Sequence, residues 1–231
     1  MTGLMLFDFD GTLYRGDAPF RYYAEVIARF MKEGDRHHYL GQVESHLDGT
    51  PGVVAGDNWE AVVQLAEPYL PDSELWQKAF LETREYMLDE ACPLEVAPEL
   101  RAFLRAVQGK ITLACASNSP PEAAIPLLQR LNLYDDFDHV LASAGKPPGL
   151  ITVAERLWDG PVIARRTISV GDNYKNDIAP AFEAGWDTAH ISPHGYFPGP
   201  STMHGYTIEE VIPFLRDWVI HVERNEIDGG H

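Results

Sequence analysis

Leu4-Met5-Leu6-Phe7-Asp8-Phe9-Asp10-Gly11-Thr12-Leu13-Tyr14 is the stretch on which the fold turns. Four apolar residues run without alternation and stop against acids and a glycine, the pattern of a strand buried on both faces. In open α/β sheets such a strand delivers the residues after it to the carboxyl edge, where ligands bind. On an extended chain Asp8 and Asp10 point the same way and Phe9 the other. Two carboxylates at that spacing repel unless a cation or a proton is shared between them, and a divalent metal resolves the conflict. Gly11 allows a sharp exit from the strand, and Thr12 offers a hydroxyl and a nearby amide to an anion. Asp, Asp and Gly also suit an ordinary turn, so this segment alone leaves both readings open.

Outward from it, further short apolar runs read as buried strands: Ile111 to Ala116, Val140 to Ala142, Thr167 to Val170 and Thr188 to Ile191. Helical patterns fall between them, over Pro98 to Val107, Pro120 to Leu131, Leu150 to Leu157 and Asn176 to Ala184. This alternation predicts an α/β fold, a Rossmann-like parallel sheet. Tyr14 to Leu94 breaks the rhythm. It holds no convincing strand and several amphipathic helical stretches, including Tyr22 to Met31, Trp59 to Tyr69 and Leu75 to Leu88, so it reads as an inserted α-helical subdomain. The expected division is 1–14 with 95–231 as the core and 15–94 as the insertion. Gly49, Pro51, Gly52 and Gly56 form a loop within the insertion, where Asp57 or Asn58 caps the next helix. Ser192 to Gly205 reads as a surface connection, Thr207 to Val222 as a closing helix, and Asp228 to His231 as frayed.

Composition narrows the function classes. The 231 residues carry 18 Lys and Arg against 35 Asp and Glu, a formal charge of -17. Such a surface repels nucleic acid and anionic membranes, so neither is expected as a partner. Cys92 and Cys115 are too few for a disulfide framework, and the first apolar run meets acids too early for a signal peptide or a membrane span. The expectation is a soluble cytoplasmic protein. Its oligomeric state is not legible.

Chemistry-bearing residues recur after the apolar runs. Ser117-Asn118 follows the second run and precedes Ser119-Pro120-Pro121-Glu122. Ser119 with Glu122 forms a candidate capping box, and a helix beginning there presents free amides to an anion. Ser117 is then placed to bond a phosphoryl oxygen, or simply belongs to the helix start. Lys146, in Ala144-Gly145-Lys146-Pro147-Pro148-Gly149, is either a solvated surface charge or an inward one held by a fixed loop. Gly171-Asp172-Asn173-Tyr174-Lys175-Asn176-Asp177 follows another run. Its acids suit a turn and a helix N-terminus, and equally the oxygen ligands that Mg²⁺ requires.

Taken in order, these four segments resemble the haloacid dehalogenase superfamily, whose motifs are DxD at the first strand, a Ser or Thr, a Lys, and a late acidic pair. The insertion occupies the place of that family's helical cap. The resemblance implies a Mg²⁺-dependent phosphatase acting on a small phosphorylated metabolite through an aspartyl-phosphate. It makes Asp8 the nucleophile and a metal ligand, and Asp10 the general acid and base, ligating the metal through its carbonyl. Asp172 completes the metal site. Ser117 and Lys146, with Thr12 and Asn118, hold the phosphoryl group, and Asn173 and Asp177 support the constellation. The family often has KPxP where this chain has Lys146-Pro147-Pro148-Gly149. Within the family, dehalogenases generally lack the second aspartate, which favours phosphoryl transfer here. A phosphonatase needs a cap lysine for a Schiff base, and the insertion offers only Lys32 and Lys78. A phosphomutase keeps Asp10 and stays open as the alternative. From other classes, a phospho-accepting signalling module combines the same residue types in another strand order, and a non-catalytic scaffold would not need all of them.

Overall fold

In the computed structural model, which describes residues 1–50 and 52–228, the last four of these by backbone alone, the chain forms two compact units. One comprises Met1–Arg15 with Val96–His231, the other Gly16–Glu95. In chain order the elements are β1 (Leu4–Phe7), α1 (Ala18–Ala28), α2 (Glu33–Leu47), α3 (Asn58–Ala66), α4 (Ser73–Tyr86), α5 (Pro98–Val107), β2 (Thr112–Ala116), α6 (Pro121–Arg130), β3 (His139–Leu141), α7 (Pro148–Trp158), β4 (Thr167–Gly171), α8 (Ala179–Glu183), β5 (Asp187–Ile191), β6 (Met203–Gly205) and α9 (Ile208–Asp228). None of the described helices is long and apolar enough to cross a membrane.

The first unit is built on a six-stranded sheet in the order β3-β2-β1-β4-β5-β6, every neighbouring pair parallel. It is the predicted α/β, Rossmann-like core. All four residues of β1 are buried because helices cover both faces of a parallel sheet. On one face Leu4 and Leu6 join Ala114, Ala116, Leu150, Ala154 and Trp186. Against the start of β1 on another side lie Trp218 and Val222 of α9, close enough to Gly3 that a β-carbon there would overlap Val222.

Several boundaries differ from the expectation for identifiable reasons. The helix expected over Asn176 to Ala184 is a π-helical turn, Tyr174–Ile178, followed by the short α8. Pro180 has no N–H to give the carbonyl of Asn176, and the Ala179 amide instead reaches back to Tyr174. β6 lies inside the segment read as a surface connection, where three residues carry too short a pattern to recognise. The closing helix runs past Val222 to Asp228; Gly229, Gly230 and His231 lie outside the described residues, as does Pro51.

The second unit packs α1 to α4 around Phe20, Tyr23, Ile27, Tyr39, Val43 and Leu65. Asp57 caps α3, accepting from the Glu60 amide at 2.8 Å. The sequence gives α2 no clear signal because polar residues surround its narrow stripe of Tyr39, Val43 and Leu47, spaced four apart. Arg84 is 5% exposed, its guanidinium 4.7 Å from the ring centre of Trp59 and 4.8 Å from that of Phe80. A desolvated cation on two aromatic faces contributes substantially, so Arg84→Ala is expected to remove about 2 kcal/mol of stability. A lowered urea midpoint would show it.

Candidate active site

The register of the sheet gathers the chemistry-bearing segments. Phe7 at the end of β1 pairs with Cys115 on β2 and with Val170 on β4. The residues just past the ends of those three strands, Asp8, Ser117 and Asp172, therefore emerge at one carboxyl edge. The Asp8 amide prolongs the ladder, donating to the Val170 carbonyl at 2.8 Å, and the Ser117 amide donates to Leu141 at 2.9 Å.

Lys146 lies at the centre of this edge. Its side chain is 2% exposed, and Nζ donates to Asp8 Oδ1 at 2.5 Å and to Asp177 Oδ1 at 2.6 Å. A buried ammonium held between two carboxylates is not a solvated surface charge. Burial pushes the Asp8 and Asp177 carboxyls up, Asp177 to about 7. For Lys146 burial acts the other way, but Asp177 and Asp8 outweigh it and hold the ammonium above the usual lysine range. The lysine loop is itself clamped: Asn118 Oδ1 accepts from the Lys146 amide at 2.7 Å, and Asn118 Nδ2 donates to its carbonyl at 3.0 Å. Both ends of the Asn118 side-chain amide thus help to place the lysine.

Asp8, Asp172 and Asp177 each present a carboxylate oxygen within 4.8 Å of the other two. Hard oxygen donors so grouped suit Mg²⁺, which keeps several waters in its octahedral shell. The glycines shape this cluster. Gly11 has φ +79°, and a β-carbon on it would overlap the Asp172 carboxylate; one on Gly171 would overlap Asp177. Asp177 is fixed further by the Asn173 amide, which donates to its Oδ2 at 3.2 Å. Asn173 Oδ1 in turn accepts from the Asn176 amide at 3.1 Å.

Asp10 faces other partners. Tyr14 Oη donates to its Oδ1 at 2.6 Å, and Ser119 Oγ donates to its Oδ2 at 3.1 Å. This corrects the capping-box expectation: α6 has Pro120 at its N-cap with no side-chain cap bond, and Ser119 is turned to Asp10. The anion-binding helix start is weaker than expected too, because Pro120 and Pro121 carry no N–H. The Thr12 amide is likewise used locally, donating to Phe9 at 3.3 Å, whereas Thr12 Oγ1 is buried without a hydrogen-bond partner among the described residues. Ser117 Oγ accepts from the Ser119 amide at 3.1 Å.

Sequence reasoning missed Tyr14, Ser119 as a partner of Asp10, and His190. For Tyr14 a signal existed: it lies four residues after Asp10, and the chain there makes a helical turn, Leu13 N–H donating to Phe9 at 3.0 Å. His190 on β5 is 1% exposed, with Nε2 3.1 Å from the Asp172 carbonyl. A carbonyl only accepts, so Nε2 carries the proton; burial lowers the ring's tendency to take a second one. Phe197, from the Ser192 to Gly205 segment, packs edge-on against His190 at 5.3 Å. That gives the segment a definite place: it covers the imidazole behind Asp172.

Comparison with known proteins bears on the fold and the family. Solved structures of similar fold include a HAD hydrolase of Bacillus subtilis bound to magnesium, 18% identical, with TM-score 0.63 over 92% of this chain and 98% of that one. A HAD phosphatase of Thermococcus onnurineus is 20% identical, with TM-score 0.60 over 92% and 97%. An L-2-haloacid dehalogenase is 21% identical, with TM-score 0.61 over 93% and 98%. At these identities the likeness is one of fold, and it spans different reactions. No curated protein sequence matched the chain. The model of one family, the haloacid dehalogenase-like hydrolases, matches residues 2–185, most of the chain. The chain belongs to that family of hydrolases.

Proposed function

We propose that the protein is a Mg²⁺-dependent phosphatase that hydrolyses a small phosphate monoester through an aspartyl-phosphate on Asp8. The observation that carries this reading is the second carboxylate, Asp10, hydrogen-bonded through both oxygens to Tyr14 and Ser119. An alkoxide leaving group needs a proton and a halide does not, so a held carboxyl beside the nucleophile segment serves ester cleavage.

In the first step an Asp8 carboxylate oxygen bonds to phosphorus while the ester P–O bond breaks, and Asp10 gives its proton to the departing oxygen. In the second, Asp10 takes a proton from water, the hydroxyl bonds to phosphorus, and the Asp8–phosphorus bond breaks to release inorganic phosphate. Asp8, Asp172 and the Asp10 carbonyl would hold Mg²⁺, which would supply positive charge near the phosphoryl oxygens. Lys146 adds a second positive charge, and Ser117 and the Thr12 hydroxyl, without a hydrogen-bond partner among the described residues, offer donors to the same oxygens. The helical unit, inserted in the chain directly after the Asp8 segment, takes the role of a cap that selects the ester. The charge of -17 disfavours polymeric phosphate and leaves small metabolites as substrates.

Incubation with a panel of phosphorylated metabolites and Mg²⁺ is expected to release inorganic phosphate, and excess chelator to abolish that release. Halide released from 2-haloacids with no phosphate released from any ester would overturn the phosphatase reading. Undiminished turnover in excess chelator would overturn the metal.

A further inference from the structure

We propose that Tyr14 and Ser119 are positioning residues for Asp10, holding its carboxyl in place while it changes protonation state twice per turnover. The inference rests on the phosphatase reading and extends it to two residues outside the four motifs.

The geometry is specific. The two carboxyl oxygens of Asp10 are held from separate parts of the chain: Oδ1 by Tyr14 at 2.6 Å, four residues on, and Oδ2 by Ser119 at 3.1 Å, 109 residues away beyond β2. Both partners are themselves fixed. Tyr14 is 4% exposed and its ring packs edge-on against Phe9 at 5.4 Å. Ser119 is 7% exposed, its amide donates to Ser117 Oγ and its carbonyl accepts from the Ser143 amide at 2.9 Å. Held at both oxygens, the carboxyl cannot rotate about its last bond without breaking a hydrogen bond.

The chemistry of the partners matters as much as their positions. Phenol and alcohol hydroxyls both donate and accept, so each can turn from donating to the carboxylate to accepting from the acid. Lysine or arginine in either place could only donate. The shorter bond makes Oδ1 the anchored oxygen. Oδ2, on the longer bond to Ser119, is the one that exchanges its partner for the leaving-group oxygen and later for water. Misplacing a proton donor by an ångström costs about 10²-fold, which sets the scale of what two such bonds protect.

The test compares phenyl phosphate with p-nitrophenyl phosphate, whose leaving groups differ in their need for a proton and little in shape. In Tyr14→Phe, the kcat/KM for phenyl phosphate is expected to fall roughly 10-fold further than that for p-nitrophenyl phosphate. Ser119→Ala should show the same selective loss to a smaller degree, and Ser119→Thr, which keeps a hydroxyl, should recover it. Because hydrolysis of the phosphoenzyme also needs Asp10, both disabled variants should accumulate more labelled protein on p-nitrophenyl phosphate. A purely structural role would lower both substrates equally with a lowered Tm, and equal loss or no loss in both variants overturns the proposal. Asp10→Asn in the same assay separates the two levels. If it too lacks the selective loss, the general-acid role itself has failed; if it shows the loss and Tyr14→Phe and Ser119→Ala do not, only the positioning role has.

Discussion

Asp8→Asn is expected to lower turnover by at least about 10⁴-fold while leaving the fold intact. An amide has nearly the shape of a carboxylate but is a poor nucleophile, so no covalent intermediate forms. The substitution leaves an oxygen able to accept from Lys146 Nζ, and Asp177 remains as the lysine's other partner. Circular dichroism and Tm should therefore stay close to the parent's. Phosphate release at the parent's rate would remove Asp8 from the mechanism and leave its burial beside Lys146 without a chemical purpose.

Lys146→Met carries the second large effect, on stability as well as activity. Methionine fills similar volume but leaves Asp8 and Asp177, with side chains 11% and 2% exposed, as buried acids without their cation. Removing one partner of a buried ion pair costs about 3–5 kcal/mol. The loss should depend on pH with a definite sign. Asp177 already has its carboxyl raised to about 7 with the lysine present, and the lysine is among the influences that lower it. In the variant the folded-state value is therefore higher still, above the unfolded one. A group raised in the folded state contributes its stability fully below the unfolded value and loses it as pH rises through the folded value. Measured in chelator by urea unfolding, the gap between parent and variant should be largest near pH 8 and shrink as the pH is brought toward 5. A gap that widened on acidification would contradict this arrangement of charges.

Whether a feature is legible in the sequence depends on whether the interactions that form it are local. Leu4 to Tyr14 is legible because a buried parallel strand leaves an unbroken apolar run, and the four residues of β1 are indeed all buried. The helix Pro98–Val107 matches its expectation end to end, having proline at its start and a strong apolar stripe. α2 is not legible because its stripe is narrow, nor is the turn at Tyr174–Ile178, which goes with Pro180 and with the bond that the Asp177 carboxylate accepts from the Asn173 amide. Within the site, residue types and their order point to Asp8, Asp10, Ser117, Lys146 and Asp172, and the sheet register brings the segments that carry them to one edge. Partners across the fold are another matter. Ser119 fits a local capping box by its spacing, but its hydroxyl is taken by a carboxylate 109 residues earlier in the chain. Nothing local to Asn118 announces that the backbone of Lys146, 28 residues on, bonds both ends of its side-chain amide. His190 gives no signal at all, since a lone histidine in an apolar strand is ordinary until the Asp172 carbonyl is found beside it.

Covalent transfer to Asp8 is the step on which the proposed mechanism stands or falls. Mixing the protein with Mg²⁺ and a labelled phosphate ester, quenching in acid within a turnover, and mapping the label by peptide mass spectrometry tests this directly. The mechanism predicts one phosphoryl group on the peptide carrying Asp8, stable in acid, released by hydroxylamine and missing in Asp8→Asn. Steady phosphate release with no label on that peptide at any quench time, or with label on another residue, would contradict it.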